Sequence, residues 1–272
     1  MKDKICVIIP VHQEAPNKTE RISLEACRKV LNHLDCYLVY PKNISPYNYV
    51  NIFPELHCMP LDDVWFKNVL AYNRMKTDIC FYNKFCQYEY MLTYELDAYI
   101  FSADFDKNNI LEYDYIGAPF FKGYAQASFD ATFIKGGNSG FSIRNIEKTI
   151  DGLKFLMNYQ KKWKFQFACI RKIPLLKPLL TLTNWKYLEL FENDHFIGFM
   201  RKGYFHEDII LSQLLPIIYP HFRVAPPEKA LTFSFEVHAD KLYVLNGNSL
   251  PNGCHAWHLY QEFWKKHINA IN

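Results

Sequence analysis

No stretch of this chain stays apolar for the ~18 residues that a membrane-spanning helix needs, so an integral membrane class is not expected. None of the eight cysteines stands in a C-x-x-C pair, which argues against a zinc site of the usual spacing. An excess of one charge is missing too. A net charge of +3 gives no electrostatic footprint for nucleic acid. The G-x-G-x-x-G of dinucleotide binders and the Walker lysine loop are both absent. No secretory leader is expected ahead of Cys6, because the chain enters a strand-like run at once. The cysteines therefore read as buried thiols in a reducing cytoplasm. No internal repeat and no low-complexity segment is found.

What is present is apolar and aromatic. With 272 residues, half of them hydrophobic and 17% aromatic, the chain has material for one large α/β domain or two small ones. Residues 5–10, ICVIIP, predict a first parallel strand, and residues 36–40, CYLVY, a second. Between them Ile22, Ala26, Val30 and Leu31 recur at near-helical spacing, so the opening is a βαβ unit. A nucleotide fits at the tip of that first strand, near Pro10 and His12. Residues 62–87 predict one broken helix or two short ones, on which Asn73, Arg74 and Lys76 are polar residues able to face a ligand.

The chain is organised around residues 88–101, YEYMLTYELDAYIF. The apolar run predicts a strand buried on both faces, as in the centre of a parallel sheet. A strand that persists to its end projects Glu95 and Asp97 to one side of its carboxyl tip, where ligands of open α/β sheets bind. Two carboxylates there need a cation or donors. Their oxygens suit Mg²⁺ or Mn²⁺, which bridge to phosphate oxygens. Further on, residues 115–119, YIGAP, predict a short strand stopped by proline. Gly136, Gly137 and Gly140 predict a tight turn or a loop whose backbone and Asn138 amide meet a sugar. Glu207 and Asp208 directly precede an apolar helical run. They suit the helix dipole there, and equally a general base aimed into a site. His255 and His258 flank Trp257 after a Pro-x-Gly turn and are candidate metal ligands.

In order, YEYMLTYELDAYIF, YDYIGAPFF, GGNSGFSIRN, HEDIILSQ and GCHAWHLY resemble the GT-A glycosyltransferases, nucleotide-sugar-dependent enzymes of Rossmann-like fold. More closely, they resemble a bacterial family grouped with glycosyltransferases and of unknown function. The resemblance covers roughly residues 5 to 265 apart from a basic insert. It implies a single domain over residues 1–272, a mostly parallel central sheet flanked by helices, with a basic, aromatic helical insert at about 151–205. It also implies a metal-dependent, inverting hexosyl transfer from a UDP-sugar to a glycan or lipid-linked glycan, in bacterial surface polysaccharide synthesis. Glu95-Leu96-Asp97 stands where such enzymes carry D-x-D. On that likeness Asp97 is the metal ligand and Glu95 a ribose or water-mediated contact. His255 completes the metal site, with His258 in reserve. Asp208 is the base, and Glu207 orients it or meets the acceptor. Two other readings compete: a non-catalytic peripheral membrane or carbohydrate-binding protein, and a metal-dependent phosphoesterase.

Residues 154–186 hold eight basic residues and no acidic one, interleaved with Trp163, Phe165, Phe167 and leucines. That composition predicts a peripheral contact with an anionic membrane surface, on the inner face of the cell membrane. Each basic residue near such a surface contributes on the order of 1 kcal/mol, weakened by salt. Replacing Lys161, Lys162 and Lys164 with glutamate should release the protein from anionic vesicles in flotation. Equal recovery of wild type and triple variant would make the segment an ordinary solvated helix.

Overall fold

The computed structural model describes residues 3–172 and 206–268. A six-stranded sheet forms its centre, in the order β3-β2-β1-β4-β7-β6. These strands are β1 Asp3–Pro10, β2 Asp35–Pro41, β3 His57–Leu61, β4 Tyr88–Tyr94, β6 Tyr115–Phe121 and β7 Phe133–Asn145. The first four are parallel, while β7 runs antiparallel to both β4 and β6. The predicted mostly parallel α/β sheet is therefore observed. A second sheet of β5 Tyr99–Ile100, β8 Ser234–Phe235 and β9 Gly253–Cys254 sits beside it.

Period-2 alternation sends neighbouring residues of the central strands to opposite faces. Val7, Ile9, Leu92 and Tyr94 pack with Leu24, Cys27 and Leu31 of helix α1 (Lys18–Leu31). Cys6, Ile8 and Met91 pack instead with Ile146, Ile150, Leu153 and Leu156 of a long helix, Ile146–Lys172. Helix α1 begins with a capping box, in which Asn17 and Glu20 satisfy each other's backbone N–H groups. Its inner face is pinned by two hydrogen bonds. Tyr94 OH donates to the Ser23 carbonyl, and Trp257 Nε1 donates to Ser23 Oγ, each at 2.9 Å.

Three local expectations change. Strand β4 stops at Tyr94, and Ala98 N–H turns back onto the Glu95 carbonyl at 2.8 Å, so Glu95 and Asp97 lie on a turn rather than on the strand. Pro119 does not end β6. The strand passes through it with a shift in register, which is possible because β6 is an edge strand. The 136–140 glycines lie inside β7, where only Gly136 has positive φ, at 104°. The broken helix is observed as two, Val69–Lys76 and Ile79–Asn83.

On the long helix Lys154, Lys161, Lys162 and Lys164 are exposed, together with Phe155, Met157 and Phe165. Most of the basic insert, residues 173–205, lies outside the described residues. No helix among the described residues is long and apolar enough to cross a membrane.

Close backbone approach fixes where β6 meets β7. A Cβ on Gly117 would stand 1.9 Å from the Asn138 carbonyl oxygen, which is backbone and cannot yield. Overpacking of this kind costs about 1–3 kcal/mol. Gly117→Ala should lower the urea midpoint accordingly without changing the m-value.

Candidate active site

The strand order turns at β1, whose connections lead to β2 on one side and, later, to β4 on the other. Such switch points open a crevice at the carboxyl ends of the strands. A cleft of about 650 Å³ lies there. Pro10, Val11 and His12 line it from the end of β1, Glu95, Leu96 and Asp97 from the end of β4, and Lys67 to Val69 and Tyr72 from the wall between them. His258 borders the same cleft.

Behind the cleft, Glu95, Asp97 and His255 bring three ligand atoms within 4.8 Å of one another. His255 Nε2 stands 3.2 Å from Asp97 Oδ1 and 3.8 Å from Glu95 Oε2. It is buried and makes no hydrogen bond. Its only neighbours of opposite charge among the described residues are the two carboxylates, and one nitrogen with two carboxylates suits a divalent cation such as Mn²⁺. The residues present therefore fit a metal ion. Gly140 makes the packing possible, since a Cβ there would lie 2.1 Å from that same Nε2.

Glu95 is held from its other side. Tyr72 OH and Lys76 Nζ both donate to Oε1, at 2.8 and 2.9 Å. Burial opposes its charge, but Lys76 and His255 keep its carboxyl well below the usual range. Lys76, only 4% exposed, also donates to Ser139 Oγ at 2.9 Å and lies 3.2 Å from Glu207 Oε2. Burial works against the Lys76 charge, while Glu207 and Glu95 outweigh it and raise its pKa. Glu207 in turn pairs with Arg144 and accepts from Ser139 Oγ at 2.8 Å. Arg144 is fully buried and also donates to Tyr82 OH and Ser142 Oγ.

Asp208 stands at the start of a helix made of Glu207–Ile209, the π-helical Ile210–Leu214 and Leu215–Ile218. Its Oδ1 accepts the Ile209 N–H at 2.8 Å. Burial, followed by the charge of Glu207, pushes its carboxyl up to about 7.

The predicted residues separate into groups. Pro10, His12, Glu95 and Asp97 share the cleft, and His255 closes on Asp97 from behind. Asn73 does not face it. It is buried, with Nδ2 donating to the Val69 carbonyl and Oδ1 accepting the Glu207 N–H at 2.8 Å. Its amide anchors the helix start. Glu207 is 1% exposed, so of its two expected roles only that of an internal support is left. Asn138 is half-buried. Its Oδ1 accepts the Gly140 N–H at 2.7 Å, and its Nδ2 donates to Glu236 at 3.1 Å. Sequence reasoning missed Tyr72, Arg144 and Glu236 altogether. It noted Lys76 only as one polar residue on a helix.

A family described as a protein of unknown function (DUF5672) matches residues 55–255, well over half of the chain. The chain belongs to this family. No curated protein matches it in sequence. Among solved structures, this DUF5672 chain is similar to the bifunctional glycosyltransferase WbbM, with TM-score 0.44, 12% identity and 94% of the chain covered. It is also similar to the glycosyltransferase GlyE of Streptococcus pneumoniae TIGR4, with TM-score 0.44, 14% identity and 93% covered. A third is the galactosyltransferase LgtC in complex with donor and acceptor sugar analogs, with TM-score 0.43, 12% identity and 92% covered. The chain spans 46% of WbbM, 54% of GlyE and 86% of LgtC.

Removing one partner of a buried ion network leaves uncompensated charge, at about 3–5 kcal/mol. Lys76→Met should therefore destabilise the fold by that order in urea unfolding, because Glu207 and Glu95 lose their shared cation. Unchanged stability would mean that Arg144 alone balances the buried carboxylates.

Proposed function

We propose that the chain is a metal-dependent glycosyltransferase of GT-A type. It moves a hexose from a nucleoside-diphosphate sugar, a UDP-sugar, to a hydroxyl of a glycan or lipid-linked glycan, in bacterial surface polysaccharide synthesis. The supporting observation is the cluster of His255 Nε2, Asp97 and Glu95, with three ligand atoms within 4.8 Å of one another, beside a cleft at the β1/β4 switch point. On this reading residues 1–272 are one catalytic domain with an insert at about 151–205. The exposed lysines and aromatics of the long helix would face an anionic membrane.

Asp97 and His255 would hold the cation, which when bound neutralises charge developing on the departing diphosphate. Glu95, fixed through Oε1 by Tyr72 and Lys76, offers Oε2 to the same site or to the donor's ribose. Pro10 and His12 border the nucleoside end of the cleft, and Asn138 and Gly140 lie on β7 behind His255. Asp208 would accept the proton of the acceptor hydroxyl. A carboxylate with pKa near 7 is well matched to that task, because a base works best when its pKa lies near the operating pH. One such base suffices for inversion, whereas glycoside hydrolysis needs two carboxylates flanking the bond.

Incubation with UDP-, GDP- and CDP-sugars plus Mn²⁺ should release nucleoside diphosphate, fastest from UDP-sugars. Release of monophosphate would indicate a phosphoesterase instead, and silence with lipid binding a non-catalytic module. Asp97→Asn should abolish most transfer and weaken Mn²⁺ binding with the fold intact, and EDTA should reproduce the loss. Asp208→Asn should lower turnover ~10²–10⁴-fold with donor affinity nearly unchanged. Because the Asp208 carboxyl sits at about 7, the base form is lost as pH falls through that value. In wild type kcat/KM should drop about tenfold per pH unit below it. A flat profile from pH 5 to 8 would remove Asp208 as the base.

A further inference from the structure

We infer that Glu236 is a positioning residue that fixes the His255 ring for metal binding, an inference that rests on the metal reading above. Glu236 follows β8 directly, and its Oε1 receives His255 Nδ1 at 3.1 Å. A carboxylate can only accept, so Nδ1 carries a proton, and a cation bound between Asp97 and Glu95 would take the Nε2 lone pair in place of the proton that nitrogen otherwise holds toward them. That second nitrogen is the buried one without a hydrogen bond, between Asp97 and Glu95. The ring cannot turn away. Gly140 packs so tightly against it that a single added carbon would lie 2.1 Å from Nε2. The His255 backbone is fixed as well, its N–H donating to the Phe235 carbonyl at 2.8 Å.

Glu236 itself is aimed from the other side. Asn138 Nδ2 donates to the same Oε1 at 3.1 Å, and Asn138 is braced by the Gly140 N–H on its Oδ1. A chain of contacts therefore runs from the β7 glycine segment through Asn138 and Glu236 to His255. Asn138, read from the sequence as a sugar contact, is here the outer support of a metal ligand. Carboxylates placed behind ligating histidines orient the ring and raise its basicity, and their loss typically costs about 10–100-fold in metal affinity.

The experiment is Mn²⁺ titration calorimetry on wild type, Glu236→Ala, Glu236→Gln, His255→Ala and the double variant Glu236→Ala/His255→Ala, with circular dichroism to check the fold. Glu236→Ala should bind Mn²⁺ about 10–100-fold more weakly. Glu236→Gln keeps an acceptor and should recover most of that loss. In the His255→Ala background the further change to Ala at 236 should cost less than about twofold, because a residue acting through His255 has nothing left to act on. Binding by Glu236→Ala within twofold of wild type would overturn the inference and leave the metal site standing. So would an equal loss in both backgrounds, since that is a general effect of charge or packing. A wild type that binds no Mn²⁺ would overturn the metal reading itself, before any variant is compared.

Discussion

The ammonium of Lys76 is the fixed point of the site. It is buried at the end of its helix, and three acceptors converge on it: Glu95 after β4, Ser139 on β7 and Glu207 at a helix start. A buried charge is tolerable only with partners in good geometry. Four separate segments must therefore be in register before the charge is compensated. Arg144 repeats the constraint from the opposite side of Glu207. Such a network adds little net stability compared with apolar packing. Its effect is to single out one arrangement of β4, β7 and the two helices, and Glu95 and Asp208 both hang from it.

Glu95 and Glu207 each use their two oxygens in different directions. Glu95 gives Oε1 to Lys76 and Tyr72 and leaves Oε2 toward His255. Glu207 gives Oε1 to Arg144 and Oε2 to Lys76 and Ser139. The first thus turns one oxygen toward His255 and Asp97, and the second turns both into the core. For Asp208, next along the chain, burial and the charge of Glu207 outweigh the pull of Lys76, and its pKa rises. Glu95 and Asp208 are thereby shifted in opposite directions by their neighbours alone. The π-helical turn that follows has its own cause. Pro216 has no N–H to continue the ladder and its ring would clash with the carbonyl four residues earlier, so the helix widens ahead of it.

Much of the scaffold was legible in the sequence. Continuous apolar runs gave β1, β2 and β4, and the E-x-D with a late histidine indicated where a cation would sit. That Pro10 and Asp97 line one cleft followed from reading each as standing at the carboxyl tip of a parallel strand. Other features were hidden for physical reasons. Lys76, Arg144 and Glu236 look like ordinary surface charges because pairing across the fold, not local pattern, is what permits their burial. GGNSGFSIRN looks like a loop because glycine is a turn residue. Here the glycines instead let β7 pass close to β6 and to the His255 ring. Asn73 reads from the sequence as a polar residue able to face a ligand, and in the fold its amide oxygen accepts the Glu207 N–H.

Among the described residues, the helix start at Glu207 is tied down from within the core, by Asn73 on its N–H and by Arg144, Lys76 and Ser139 on its side chain. Asp208 makes no choice of its own place: its neighbour Glu207 acts as a pivot pin, and whatever shifts that buried side chain or its N–H swings the next carboxylate with it through the backbone.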